Sequence, residues 1–278
     1  MSRAEQIAAY ATGLPYSELT HEAVHATKDR IVDTIGAMLA GWLSEPAKIA
    51  RDYASLHVSP TGASVVGVRG MYTPEVTAFA NAIQLTASNL GDATPDGEFS
   101  PCEVVPPLLA LAEALGTKGE DLILGLVVGY DIAGVTQDLF ASGVAGAGAM
   151  LARSQEEVML ALTFPTVAGL TAMNAPCTSR DVVMATMLAA MGLGVDDAED
   201  DGVDLAMSDR GASHWVEQAL YTGPDGEMVL LNSDEIAEKF VTLSGELLRD
   251  QQVTNFFELM AHLDELEDIG MLMECLVV

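Results

Sequence analysis

The chain has 278 residues, room for one large or two small domains. Half of them are hydrophobic and the mean hydropathy is +0.28, which excludes general disorder. Acidic side chains outnumber basic ones 41 to 12, for a net charge of −29. That excludes nucleic acid and anionic membranes as partners, because both demand a basic footprint.

The pattern along the chain is mostly helical. Ile7, Ala8 and Ala11 share one side of a short first helix that ends near Gly13-Leu14-Pro15. Thr20 caps a second helix, with Glu22 in its first turn, where the helix dipole favours an acid. Val24, Ile31, Ile35, Met38 and Leu39 give that helix an apolar stripe, and Gly41 and Pro46 mark its end. A third helix follows Ser44-Glu45-Pro46. Ala63 to Val68 is a strand candidate, and Thr73-Pro74-Glu75 opens the next helix, through Phe79 and Ile83.

Asn89 to Pro101 is a loop rich in Gly, Pro and Asp. Val104 to Leu115 is a helix, broken by Gly116-Thr117-Lys118-Gly119. Asp121 to Val135 is apolar nearly all round, as a central buried helix would be. Its Gly125 and Gly129 imply close helix packing. Gly143 to Leu151, Glu156 to Met173 and Arg180 to Met191 continue the helical pattern, and Asp196 to Asp204 is an acidic linker. A hairpin spans Ala219 to Leu231 about a Gly223-Pro224-Asp225-Gly226 turn. Ser233 caps a further helix, and Glu258 to Leu276 closes the chain as helix.

The acidity is uneven. From Val195 to Val278 there are 21 acids and three bases, Arg210, Lys239 and Arg249. Apolar residues interrupt these acids at helical spacing, so they read as a solvated surface rather than as a tail for a basic partner. Cys102, Cys177 and Cys275 form no close pair, and no disulfide framework is implied. The N-terminus begins an amphipathic stretch and not a signal peptide. The longest apolar run, Leu122 to Tyr130, falls short of the roughly 20 residues that span a bilayer. The expected location is cytoplasmic, with no membrane partner. The 14 methionines read as core filling in place of Leu.

His21-Glu22-Ala23-Val24-His25 is a literal HExxH. On a helix its two histidines share a face and can hold zinc, with Glu22 activating a water. The motif is short, Lys28 stands where a metzincin continuation would begin, and no strands precede it. An amphipathic helix start with solvated histidines explains it more simply, and no metal or other cofactor is expected.

Two longer stretches carry more information. They are Val104-Val105-Pro106-Pro107-Leu108-Leu109-Ala110-Leu111-Ala112-Glu113-Ala114-Leu115-Gly116 and, after Gly119-Glu120-Asp121-Leu122, Gly129-Tyr130-Asp131. Together with Lys28 to Gly41, Thr73-Pro74-Glu75, Ala78 to Asn81 and Ser233 to Phe240, they resemble the MmgE/PrpD family. That family includes 2-methylcitrate dehydratase, cis-aconitate decarboxylase and iminodisuccinate epimerase. The resemblance covers most of residues 1–190 and 219–276. It implies a mostly α fold, an all-helical domain that builds a homodimer, and a smaller lid. Family members typically exceed 400 residues, so the lid is expected to be truncated or vestigial, reduced to the hairpin. The expected divisions are a helical core at 1–194, an acidic linker and lid remnant at 195–232, and helices at 233–278 packing back on the core.

The family's motifs are altered here. Asn89-Leu90-Gly91-Asp92 stands where a His-x-x-Asp signature is expected, and Phe99-Ser100 stands where a His-Pro is expected. Of the first, only Asp92 keeps its type. A later Lys-Arg-Leu-His-x-Gly-Arg motif aligns with Asn174 to Arg180, of which the arginine survives. Polycarboxylate chemistry needs cationic partners and His or Lys acid–base groups. Their replacement points to a neutral, partly apolar biosynthetic intermediate.

The expected function is that of a cofactor-independent lyase or isomerase, a cyclase or dehydratase. Asp92 and Glu103 are its candidate acid–base groups, and Asn89 and Asn174 would orient a carbonyl. Phe99, Leu90, Cys177, Arg180 and Met173 would line the substrate site. The alternatives are a non-catalytic dimeric relative, the family's own tricarboxylate chemistry, and a zinc hydrolase. Taken singly, each site residue also has an ordinary structural role: Asp92 as a turn former, Glu103 in a first helical turn, Asn174 before a chain bend.

Overall fold

The computed structural model describes residues 1–95, 99–163, 175–193, 205, 214–223 and 227–278. Helix α1 (Arg3–Gly13) opens with a capping box between Ser2 and Glu5 and buries Ile7, Ala8 and Ala11. Helix α2 (His21–Gly41) starts at Thr20, whose hydroxyl accepts the Ala23 N–H at 3.0 Å. Helix α3 (Glu45–Ala54), strand β1 (Val58–Ala63) and helix α4 (Pro74–Ser88) follow. Then come α5 (Val105–Leu115), α6 (Gly119–Thr136), α7 (Leu139–Met150), α8 (Gln155–Leu162) and α9 (Ala175–Ala189).

A short helix α10 (Trp215–Gln218) leads into an antiparallel pair, β2 (Tyr221–Thr222) and β3 (Met228–Val229). Helices α11 (Ser233–Ser244), α12 (Asp250–Ala261) and α13 (Gly270–Glu274) complete the order. Among the described residues the fold is mostly α, with one small antiparallel strand pair, as the sequence implied.

Helix α6 is the hydrophobic centre, buried from Leu122 to Ala133. It crosses α7 at backbone contact: a Cβ on Gly125 would lie 2.7 Å from the Gly146 carbonyl oxygen. The small residues read from the sequence therefore set the distance between these two helices. Helix α5 ends at Gly116 in the left-handed region, φ +62°, where glycine carries no Cβ penalty. Helix α4 packs on α2, α3, α5 and α9, and α11 lies along α2. There Phe240 stacks on Phe256 at 4.6 Å between ring centroids, a contact worth about 0.5–1.5 kcal/mol beyond area burial. Among the described residues, no helix is long and apolar enough to cross a membrane.

Four expectations need correction or limits. The strand is Val58–Ala63, bridged to Tyr72, and not Ala63 to Val68. Val65 and Val66 are buried, but side chains satisfy the backbone around them. The Ser64 N–H donates to Glu113 at 2.6 Å, the Val66 N–H to Asn81 Oδ1 at 2.9 Å, and Gln84 Nε2 to the Val66 carbonyl at 3.2 Å. Glu258 to Leu276 is not one helix. The start of α6 takes its backbone groups: Gly119 N–H donates to the Leu266 carbonyl, and Ile269 N–H to that of Thr117. Asn232, not Ser233, caps α11, accepting the Glu235 N–H at 3.1 Å. Helix α8 covers 155–162; the remainder of the expected Glu156 to Met173 helix beyond Thr163, and the acidic linker, lie outside the described residues.

Candidate functional site

Helix α4 ends at Asn89 with φ 55° and ψ 33°, a left-handed conformation that asparagine tolerates better than most residues. The chain reverses there and brings Asp92 back beneath the 3₁₀ turn Pro101–Val104, which leads into α5. Asp92 is 2% exposed. Its Oδ1 accepts the Cys102 N–H at 2.7 Å, and its Oδ2 accepts the Tyr130 hydroxyl at 2.7 Å. The Arg30 Nη1 stands 3.7 Å from Oδ2, so the buried carboxylate has a cation beside it.

Arg30 also secures the hairpin. Its Nε donates to the Val216 carbonyl at 3.1 Å, and its Nη2 to that of Ala219. Its guanidinium lies 3.8 Å from the centroid of the Tyr221 ring. Ala93 and Leu220 exchange backbone hydrogen bonds of 2.8 and 2.7 Å, and the Thr222 hydroxyl donates to the Gly91 carbonyl. The hairpin is thereby fixed over the Asp92 loop.

Between loop and hairpin lies a pocket of 240 Å³. Asn89, Asp92, Phe99, Ser100 and Glu103 line it from the loop, Leu85 and Thr86 from α4, and Thr222 and Met228 from the hairpin. No Lys, Arg or His is among the described lining residues. Burial pushes the Glu103 carboxyl up to about 7, and the Asp92 charge pushes in the same direction. Burial likewise raises the Cys102 thiol and the Tyr130 phenol, again helped by Asp92. Two carboxyls thus share one small site in different surroundings. Asp92 has the Arg30 guanidinium behind it, and Glu103 is poised to exchange a proton near neutral pH.

Of the residues expected from sequence, Asp92, Glu103, Asn89 and Phe99 come together here. Leu90 is partly buried against the main core, and its carbonyl accepts Lys239 Nζ at 3.4 Å. Cys177 and Arg180 lie on α9, away from the lining. Arg180 pairs with Asp181 at 2.6 Å. Asn174 and Met173 lie outside the described residues. His21, Glu22 and His25 are exposed on the first turns of α2, with His25 Nδ1 3.3 Å from Asp29. Among the described residues no three His, Cys, Asp or Glu groups converge as a metal site.

Sequence reasoning missed Arg30, Tyr130 and Thr222. A signal existed for Arg30, a base within the buried stripe of α2 in a chain holding only 12 bases. It also missed a second buried pair, Asp33 with Lys239 at 2.6 Å, which ties α11 to α2 beside this loop. Burial raises the Asp33 carboxyl to about 6, with Lys239 opposing the shift.

A helical scaffold with an acid-lined pocket at the α4–α5 junction defines the class. Residues 5–143, half of the chain, match the MmgE/PrpD N-terminal domain family, and the chain belongs to that family. Cis-aconitate decarboxylase of Homo sapiens is 30% identical over 135 residues, which is 47% of this chain and 28% of that protein. Cis-aconitate decarboxylase of Mus musculus is 28% identical over the same shares. The matched stretch is less than a third of either relative's length.

Proposed function

We propose that this chain is a lyase- or isomerase-type enzyme that moves a proton on a small, uncharged, partly apolar molecule without a cofactor. Glu103 is the proton-carrying group, and Asn89 and Ser100 supply polar contacts to orient a carbonyl or hydroxyl. Asp92 is a positioning residue, held by Tyr130, Cys102 and Arg30; burial first, and the Asp92 charge in addition, raise the Glu103 carboxyl to about 7, where it exchanges a proton near neutral pH.

The observation that carries this reading is a carboxyl near 7 inside a pocket whose described lining holds no cation. A general acid works best with a pKa near the working pH. A polycarboxylate would meet two carboxyls and no described counter-charge. At 240 Å³ the site falls below the roughly 300–1,000 Å³ typical of drug-sized ligands, so the substrate is small. Kinship with cis-aconitate decarboxylases supports the general class, bond cleavage beside an acid–base group, and not their substrate.

The test is proton exchange in D₂O, followed by ¹H NMR. One panel holds neutral β-hydroxy and β-keto carbonyl compounds, the other citrate and cis-aconitate. Deuterium incorporation or elimination in the neutral panel, lost in Glu103→Gln, is expected. Turnover of cis-aconitate that survives Glu103→Gln contradicts the proposal. No exchange in either panel transfers the site to the non-catalytic, ligand-binding reading.

A further inference from the structure

A second cleft, of 840 Å³, shares no described lining residue with the Glu103 pocket. One wall is the chain from Ser64 to Met71, another the turn between α11 and α12, and the third α13 with Val277 and Val278. Hydrogen bonds fix these walls. Glu113, at the end of α5, accepts the Ser64 N–H at 2.6 Å and the Ser64 hydroxyl at 2.7 Å. The Val278 N–H donates to the Gly67 carbonyl at 3.1 Å. Gln252 Nε2, in the first turn of α12, donates to the Cys275 and Val277 carbonyls at 3.1 and 2.7 Å. The cleft is preformed, and its volume suits a small organic molecule.

Cations are scarce in this chain, and most are tied. Of the 12 bases, Arg210 lies outside the described residues. Seven others pair with acids of the chain, and Arg51 donates to the Trp42 carbonyl at 2.7 Å. That leaves Lys48, Arg69 and Arg249, which are exposed and make no ion pair with the described residues. Two of these three, distant in sequence, line this one cleft. Glu113, Asp268 and Glu274 line it as well, yet no ion pair joins them to either arginine. Burial raises the Glu113 carboxyl, and the Asp268 and Glu274 charges push the same way against the Ser64 bonds. The carboxyls thus gather at one end, apart from the arginines.

We propose that this cleft binds a small organic monocarboxylate with an apolar body. The carboxylate meets the Arg69 and Arg249 guanidiniums, whose planar forks match its geometry. Met71, Leu247, Met273 and Val277 supply apolar surface for the rest of the molecule. A second carboxylate, or a phosphate, brings further negative charge toward Glu113, Asp268 and Glu274. The net charge of −29 adds to that penalty at long range. A neutral molecule leaves both arginines unused.

Protein labelled with ¹³C at the methionine methyls, titrated with hexanoate and followed by NMR, tests this. The Met71 and Met273 signals, assigned by Met71→Leu and Met273→Leu, should move saturably. The signal of Met228, in the Glu103 pocket, should not. Arg69→Gln and Arg249→Gln should each weaken binding about tenfold or more, as expected for a lost charge-assisted hydrogen bond. Lys48→Gln, which removes the untied cation elsewhere, should leave binding unchanged. Adipate, a dianion of the same chain length, and neutral hexanamide should each bind at least tenfold more weakly than hexanoate. No movement of Met71 or Met273 up to 50 mM hexanoate overturns the proposal, as does binding that survives both arginine substitutions. Adipate or hexanamide binding as tightly as hexanoate also overturns it, and so does movement of Met228 alone. The readout sits on this cleft's own methionines, so the outcome is independent of whether the Glu103 pocket is catalytic.

Discussion

Tyr130, buried in the middle of α6, donates its hydroxyl to Asp92 at 2.7 Å and so ties this apolar central helix to the loop that carries the candidate site. The phenol is fully enclosed and has no solvent to bond instead. Tyr130→Phe should cost about 1–3 kcal/mol, since it leaves a buried acceptor short of a donor. Urea unfolding should show a lower midpoint with an unchanged m-value. An unchanged midpoint would mean that this bond contributes nothing net.

Arg30 has the larger structural role. Arg30→Met removes the cation beside Asp92 and the donors to Val216 and Ala219 together. Breaking a buried pair from one side typically costs about 3–5 kcal/mol. Arg30→Lys should recover little of it, because one ammonium cannot replace a fork that binds two carbonyls and stacks on Tyr221. Thermal melts of the three proteins should rank wild type well above both variants.

Stability should fall as pH rises through the neutral range. Glu103 sits near 4.5 in the unfolded chain and near 7 in the fold. Between those values the folded state holds more protons than the unfolded one, so unfolding becomes easier with rising pH. Asp33, raised from 3.8 to about 6, acts in the same sense over its own window. The Glu103 contribution is up to about 3 kcal/mol, complete above pH 7. Unfolding free energies of wild type and Glu103→Gln should therefore diverge from pH 4.5 to 8, with the variant flatter.

The α6–α7 crossing admits no extra atom. Gly125→Ala places a Cβ 2.7 Å from both the Gly146 carbonyl oxygen and the Met150 Cβ. Overpacking of this kind costs about 1–3 kcal/mol. A drop in melting temperature of several degrees is expected, while Gly13→Ala, with open space around it, should show no such loss.

The helices were largely legible because their signals are local. Thr20 and the Ser44-Glu45-Pro46 turn act over three residues, and α6 announces its burial by composition. The strand at Ala63 to Val68 was misread because Asn81, Gln84 and Glu113 take over its backbone bonds from far along the chain. The same limit applies to the site. Asp92, Glu103, Asn89 and Phe99 are close in sequence and were found. Arg30, Tyr130 and Thr222 join them only through the packing of α2, α6 and the hairpin. Lys239 meets Asp33 across 206 residues, a pairing that no spacing rule reveals.

The most direct test of the pocket is the titration of Glu103 itself. Protein labelled with ¹³C at the glutamate carboxyls would be followed by NMR from pH 4 to 9, the Glu103 signal being the one absent from Glu103→Gln. A midpoint near 7 is predicted, with a downward shift in Asp92→Asn as the neighbouring charge is lost. A midpoint near 4.5, unmoved by Asp92→Asn, would contradict the account of a carboxyl held ready to exchange protons at neutral pH.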